Sequence, residues 1–229
     1  MATNNSINSD IGVATGTSLN LGSSTTITGM IDDDTMATAS ASTAASSESI
    51  KAYVDAAGGS VEVIDTATFS STANYELTDL SATYFAYDII CNYLLPATDN
   101  VELWLRTSTN NGSSFDSGSS NYNYVASRFE ASYSSGNSSA AAQITLAQNL
   151  GNSSTRGFYG TIRLINPMDA TTYTSCAGNG YFVNATGTYY NVLCGGQRES
   201  ASATNAFQLR FSSGNIASGS LIVLGIKAA

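Results

Sequence analysis

Apolar and polar residues alternate along most of the chain with the period of two that is typical of β-strands. Val61 and Val63, for example, flank Glu62. Alternating or aromatic and β-branched runs occupy residues 61–63, 84–93, 101–106, 122–133, 143–147, 158–165, 181–184, 189–193, 207–211 and 221–226. Clusters of Gly, Asn and Ser separate these runs. The pattern therefore predicts about ten strands without intervening helices.

This succession of strands favours an all-β fold over an α/β fold, and we predict an antiparallel β-sandwich of jelly-roll type over residues 60–229. Residues 207–211 alternate, which predicts a half-buried strand. Residues 221–226 are apolar on both faces, so we expect both faces to be covered, one by the sandwich core and the other by a neighbouring subunit or loop. No repeat of fixed period indicates a parallel β-helix.

A single short helix is predicted within residues 43–59, where it links the N-terminal segment to the β-sandwich. Ser46 or Ser47 provides an N-cap, and Glu48 places a carboxylate at the positive end of the helix dipole. The glycine pair at residues 58–59 ends the helix.

The apolar side of this helix is narrow, because it consists of Ile50, Val54 and Ala57. A helix with so little to bury is marginal alone. Three parallel copies packed about an axis would bury the stripe, which predicts a homotrimer. The alternative is a helix that caps the sandwich of its own chain.

Residues 1–42 form a low-complexity segment of Ala, Thr, Ser and Asn with too few apolar residues for a core of its own. We interpret it as an extended segment that docks onto other proteins. The chain carries a net charge of -9, and eight of its 17 acidic residues lie between residues 10 and 65. The eight Lys and Arg residues are scattered singly, so nucleic-acid binding is not expected.

Neither a secretory leader nor a membrane-spanning run is evident, which predicts assembly in a host cytoplasm without membrane insertion. Cys91, Cys176 and Cys194 match no zinc pattern, and in a reducing compartment they are expected as small buried hydrophobes. A bridge between Cys176 and Cys194 is the alternative, if the two flank a hairpin.

The chain has no histidine, which removes Ser-His and Cys-His nucleophiles and the commonest metal ligand. Glycoside hydrolysis needs only two carboxylates, but the spacing of the acids selects no pair. The acids considered are Glu76, Asp79, Asp88, Asp99, Glu102, Asp116 and Glu130. The run at residues 32–34 lacks the alternation of a calcium loop and is interpreted as a solvated turn. We therefore predict no enzyme, cofactor or metal site.

Tyrosines cluster near loops rich in Asn, Gly and Ser, a combination that suits neutral sugars through stacking and hydrogen bonding. The candidate glycan contacts are Tyr122, Tyr124, Tyr181, Tyr189 and Tyr190. The alternative is that these rings form ordinary cross-strand pairs within a sheet.

Two stretches carry a family resemblance: residues 157–167, with the sequence GFYGTIRLINP, and the closing residues 207–229, with the loop SSGNIASG before a short apolar strand. Together they resemble the C-terminal β-domain of phage tail-fibre-like virion structural proteins. Residues 36–55 also resemble the linker helix that precedes distal modules of phage fibres, near a three-fold axis.

The resemblance implies a homotrimeric virion protein of a bacteriophage, fibre- or spike-like. Its residues 1–42 would dock to tail or capsid proteins, and its β-sandwich would project for attachment to a host surface glycan. The second interpretation is a capsid decoration or head-fibre protein without a receptor role. The third is a glycan depolymerase.

Overall fold

The fold is given by a computed structural model, which describes residues 19–20, 26–27, 29–56, 59–130 and 133–227. The chain divides into two compact units, Met1–Gly59 and Ser60–Ala229. Each unit is described by itself.

Among the described residues of the first unit there are four very short strands and one helix. Strands β1 (Leu19–Asn20) and β2 (Thr26–Ile27) pair antiparallel, whereas β3 (Gly29–Ile31) and β4 (Thr43–Ala45) pair in parallel. The helix α1 covers Ser47–Ala56. The rest of the predicted docking segment, residues 1–18, 21–25 and 28, lies outside the described residues.

The predicted start of the helix is confirmed at Ser46. Its Oγ accepts a hydrogen bond from the backbone N–H of Ser49 at 3.0 Å, which is the geometry of an N-cap. The Ser49 side chain is buried and lies 3.4 Å from the carbonyl oxygen of Ile31, so β3 holds the first turn in place. Ala57 and Gly58 lie outside the described residues.

The part of the second unit that the structure describes contains twelve strands. They are β5 (Val61–Thr72), β6 (Tyr75–Leu77), β7 (Tyr84–Pro96), β8 (Val101–Ser108), β9 (Tyr122–Phe129), β10 (Tyr133–Ala141), β11 (Ile144–Leu150), β12 (Phe158–Ile165), β13 (Ser175–Val183), β14 (Tyr189–Arg198), β15 (Ala206–Phe211) and β16 (Ile216–Lys227).

These strands form two antiparallel sheets that pack as a sandwich, which confirms the predicted all-β class. The larger sheet has eight strands in the order β10-β9-β14-β13-β12-β7-β16-β5, and the smaller has four in the order β11-β8-β15-β6. When the hairpins β9–β10 and β13–β14 are set aside, two sheets of four strands remain, the number that a jelly roll requires. The jelly-roll arrangement itself stays a prediction.

One hydrophobic cluster fills the space between the sheets, with contributions from nearly every strand. Its largest fully buried side chains include Tyr87, Phe158, Phe182, Phe207 and Phe211. Because the side chains of a strand alternate between faces, each strand of the larger sheet sends one set of residues into this core and the other set outward.

The closing strands differ from the sequence prediction in two respects. Strand β15 was expected to have one buried face, but Gln208 on its other face is buried too. The Gln208 Nε2 donates a hydrogen bond to the Glu76 carboxylate of the neighbouring β6 at 2.7 Å. Strand β16 has Leu221 and Val223 in the core, whereas Ile222 is 41% exposed. The outward face of β16 is therefore uncovered at Ile222 within the described part of the chain, and cover by a neighbouring subunit stays a prediction.

Candidate functional site

The surface of interest is the outer face of the larger sheet, the side that points away from the smaller sheet. Strand β14 shows how this face is built: Val192 points into the core and is 1% exposed, whereas the next residue, Leu193, is 55% exposed. The antiparallel register then brings outward residues of neighbouring strands side by side. The outer face carries several large apolar side chains at positions where a solvated sheet usually has polar ones.

One group of these residues, here called the aliphatic patch, consists of Val61 and Val63 on β5, Ile90 on β7 and Ile222 on β16. Ile222 is the register partner of Ile90, so the two side chains are neighbours on adjacent strands. All four are exposed in the single chain. Exposed apolar side chains that gather on one surface are typical of a contact with another macromolecule.

An ion pair whose two opposite charges cancel lies beside the aliphatic patch. The Arg163 guanidinium on β12 donates two hydrogen bonds to the Asp88 carboxylate on β7, both at 2.6 Å. These bonds raise the pKa of Arg163 above its ordinary value. The pair adds no net charge to this part of the outer face.

The second group, here called the aromatic patch, consists of Tyr159 on β12, Tyr181 on β13, Tyr189 on β14, Phe129 on β9 and Tyr133 on β10. The rings of Tyr181 and Tyr189 are nearly parallel, at 23° with centroids 6.1 Å apart. Those of Phe129 and Tyr133 are 5.6 Å apart. Tyr159 is the register partner of Tyr181. The patch therefore places five exposed rings across five strands.

A shallow depression of about 470 Å³, here called the tyrosine groove, lies within the aromatic patch. Its lining residues are uncharged: Tyr159, Gly160, Asn179, Gly180, Tyr181, Asn191, Val192 and Leu193. A second depression of about 570 Å³ lies over β9, β10 and β14 and is likewise lined by uncharged residues. Neither depression contains a carboxylate.

The structure separates the five candidate tyrosines into three environments. Tyr181 and Tyr189 are exposed on the aromatic patch. Tyr124 and Tyr190 are partly buried and pack against the core, and Tyr190 stacks on Phe182 with ring centroids 5.5 Å apart. Tyr122 was predicted as a glycan contact, but it is completely buried. Its hydroxyl accepts a hydrogen bond from the N–H of Thr107 at 2.8 Å.

Sequence reasoning missed most of the groove. Tyr159, Asn179 and Asn191 were not candidates, although all three are outward-pointing residues of strands. The signal that could have found them is the period of two itself, since Asn179 and Tyr181 lie on one face of β13.

The helix leaves its apolar stripe uncovered. Ile50 is 48% exposed and Val54 is 61% exposed, while Ala57 lies outside the described residues. The predicted trimer contact through this stripe stays a prediction.

The acids considered for glycoside hydrolysis each have a local partner. Asp88 and Asp116 pair with Arg163 and Arg198. The other acids of this set accept from neutral groups: Glu76 from Gln208, Asp79 from Asn111, Asp99 from Asn152, Glu102 from Trp104 and Glu130 from Tyr190. In the described ranges no three His, Cys, Asp or Glu side chains gather as a metal site. Each of these acids therefore takes part in a local hydrogen bond or ion pair.

The acidic run at residues 32–34 also serves local structure. The Asp33 carboxylate accepts hydrogen bonds from the backbone N–H and the hydroxyl groups of Thr35 and Thr38. These bonds hold the pKa of Asp33 well below its ordinary value. The three cysteines are free and buried, and desolvation raises the pKa of Cys91 and of Cys194 to about 12. The alternative bridge between Cys176 and Cys194 is not formed.

None of the helices that the structure describes has the length and apolar character needed to cross a membrane. Comparison with protein families, with curated proteins and with solved structures finds no match for this chain. The phage-fibre resemblance therefore depends on the stretches quoted above, residues 36–55, 157–167 and 207–229.

Proposed function

We propose that the chain is a virion structural protein of a bacteriophage, fibre- or spike-like and homotrimeric, which is assembled in the host cytoplasm. Residues 1–42 dock it to tail or capsid proteins, and the sandwich projects and presents its surface to the host. The observation that carries the proposal is the outer face of the larger sheet, where large aliphatic and aromatic side chains are exposed.

The aliphatic patch and the helix stripe support self-association. Both expose aliphatic side chains, Ile222 and Ile90 in one case and Ile50 and Val54 in the other. Copies of a chain with a net charge of -9 repel one another, so contact between them is favoured where the surface has no net charge. The aliphatic patch meets this condition because its neighbouring ion pair is compensated.

Two alternatives remain candidates. A capsid decoration or head-fibre protein would use the same assembly surfaces but no receptor contact. A glycan depolymerase would need two carboxylates about 5–10 Å apart facing a groove. The uncharged lining of both depressions favours a binding or structural role over hydrolysis.

The assembly part of the proposal is tested by light scattering of the full chain. The expected mass is about 71 kDa, three times the 23.7 kDa of one chain. Ile222→Asp is expected to lower this mass because it places a charge in the contact, whereas Ser213→Asp in the β15–β16 turn is the matched control and should leave the mass unchanged. A monomeric wild-type protein at micromolar concentration would refute the trimer.

The virion part is tested by immunogold electron microscopy of particles of the phage that encodes the chain. Label on the tail or baseplate supports the fibre or spike, and label on the head supports the decoration alternative. Particles without label, with the protein found only in the lysate, would overturn the proposed function.

A further inference from the structure

We propose that the tyrosine groove binds a neutral glycan, a chain of hexose or N-acetylhexosamine units without acidic groups. The inference rests on the proposed virion role only for its biological meaning, because the site itself belongs to the β-sandwich of this chain. It names the class of ligand that the projecting sandwich would hold.

The tyrosine rings of the groove are accessible. Tyr181 lines the groove and is 38% exposed, and its ring stacks at 23° on that of the neighbouring Tyr189, which is 64% exposed. Tyr159 lines the groove from β12, opposite Tyr181, and is 41% exposed. Flat, accessible rings with a polar tip suit the apolar face of a sugar ring together with its hydroxyl groups.

The groove also contains side-chain amides that are free to form hydrogen bonds. Asn179 and Asn191 line the groove. Within the described part of the chain, neither side-chain amide has a hydrogen-bond partner. An amide offers both donors and an acceptor, and sugar hydroxyls act as both. The groove therefore combines stacking surfaces with free polar groups, which an interface built for apolar contact alone would not require.

The charge of the groove lining selects among classes of glycan. None of the residues that line the groove is charged, so no Lys or Arg is placed to pair with a carboxylate or sulfate of an acidic glycan. The net charge of -9 further disfavours an anionic ligand. A neutral glycan is the class that matches this lining.

A purely structural role predicts different behaviour from these rings. Cross-strand aromatic pairs stabilise a sheet by up to about 1 kcal/mol each, whether or not a ligand is present. Substituting them would then change stability but no binding constant. The experiment must therefore measure both thermal stability and affinity.

The test uses the full chain on an array of neutral hexose and N-acetylhexosamine oligosaccharides, with sialylated and uronic-acid oligosaccharides on the same array. The strongest neutral ligand is then titrated by calorimetry, and a thermal scan of each variant measures its stability. Tyr181→Ala and Asn191→Ala are each expected to weaken its binding about tenfold, and Tyr181→Phe less, because it retains the ring. Tyr173→Ala, an exposed tyrosine outside the groove, is the matched control and should bind like the wild type.

Three results would overturn the proposal: no binding to any oligosaccharide, binding only to acidic oligosaccharides, or neutral binding that survives Tyr181→Ala. Failure here and failure of the proposed function are distinguishable. Gold-labelled particles with a chain that binds no glycan would refute the groove alone, whereas glycan binding by a protein absent from particles would refute the virion role alone.

Discussion

Replacing Val223 with Asp tests whether β16 is held between β7 and the edge strand β5 of the larger sheet, with Val223 in the core. Val223 is completely buried between Asp65 of β5 and Ile89 of β7. The change removes an apolar burial of about 2 kcal/mol and introduces an unpaired carboxylate at about 3–5 kcal/mol. The new carboxylate also faces that of Asp65, and like charges directly opposite repel. The sum approaches the total stability of an ordinary domain, about 5–15 kcal/mol.

We therefore expect Val223→Asp to be insoluble, or to unfold at least about 10 °C below the wild type in a thermal scan. Val125→Asp is the matched control, since it makes the same change at an exposed position of the larger sheet and should shift the midpoint by no more than about 2 °C. A soluble Val223→Asp protein with a wild-type midpoint would show that β16 is not held in the core. The order of the larger sheet would then be wrong.

Three further predictions concern local structure. A Cβ at Gly180 would overlap the Phe158 ring, so Gly180→Ala should lower the free energy of unfolding by about 1–3 kcal/mol in denaturant. Gly195→Ala is the control and should be tolerated, because the nearest atom to its new Cβ is 3.4 Å away. Equal effects would contradict the packing. Ser46→Ala removes the N-cap and should cost about 1 kcal/mol, measured as faster hydrogen exchange in α1; unchanged exchange would argue against the cap. At pH 8 the folded chain should resist maleimide, and denaturant should expose all three cysteines; labelling of the folded chain would contradict their burial.

The strands that sequence predicted best are those with large apolar side chains at most inward positions. Residues 158–165 were predicted as a strand, and β12 covers Phe158–Ile165. Its inward residues Phe158, Ile162 and Leu164 are completely buried, so these three positions show the same pattern in the sequence and in the burial. The remaining inward position is Gly160, where a Cβ would meet the Phe158 ring.

Strands built from small residues were missed, or were predicted too short. Residues 134–140 contain only Ser, Gly, Asn and Ala, yet they belong to β10, which pairs with β9 at the edge of the larger sheet. Strand β13 begins at Ser175, six residues before the predicted run at Tyr181. Its inward glycines, Gly178 and Gly180, make room for Cys194 and Phe158. Such strands depend on tertiary packing, which the local pattern does not contain.

The candidate tyrosines show that composition can predict the kind of surface a protein has, but not which residues form it. Tyr122 and Tyr189 have the same chemistry and similar polar neighbours, but one is buried and the other is 64% exposed. A shift of one residue along a strand moves a side chain to the opposite face. The face therefore depends on the register, which is set by pairing between β9, β14 and β13 and not by local sequence.

The ion pair between Asp88 and Arg163 explains how assembly and glycan binding can share one sheet face. It bridges β7, which carries Ile90 of the aliphatic patch, and β12, which carries Tyr159 of the tyrosine groove. The Arg163 side chain is 49% exposed, and burying an ion pair under a partner costs desolvation energy that its attraction does not fully return. A contact between copies is therefore most favourable if it covers Ile222 and Ile90 and stops at this pair. The groove beyond it, on β12, β13 and β14, then stays open to solvent and accessible to a glycan.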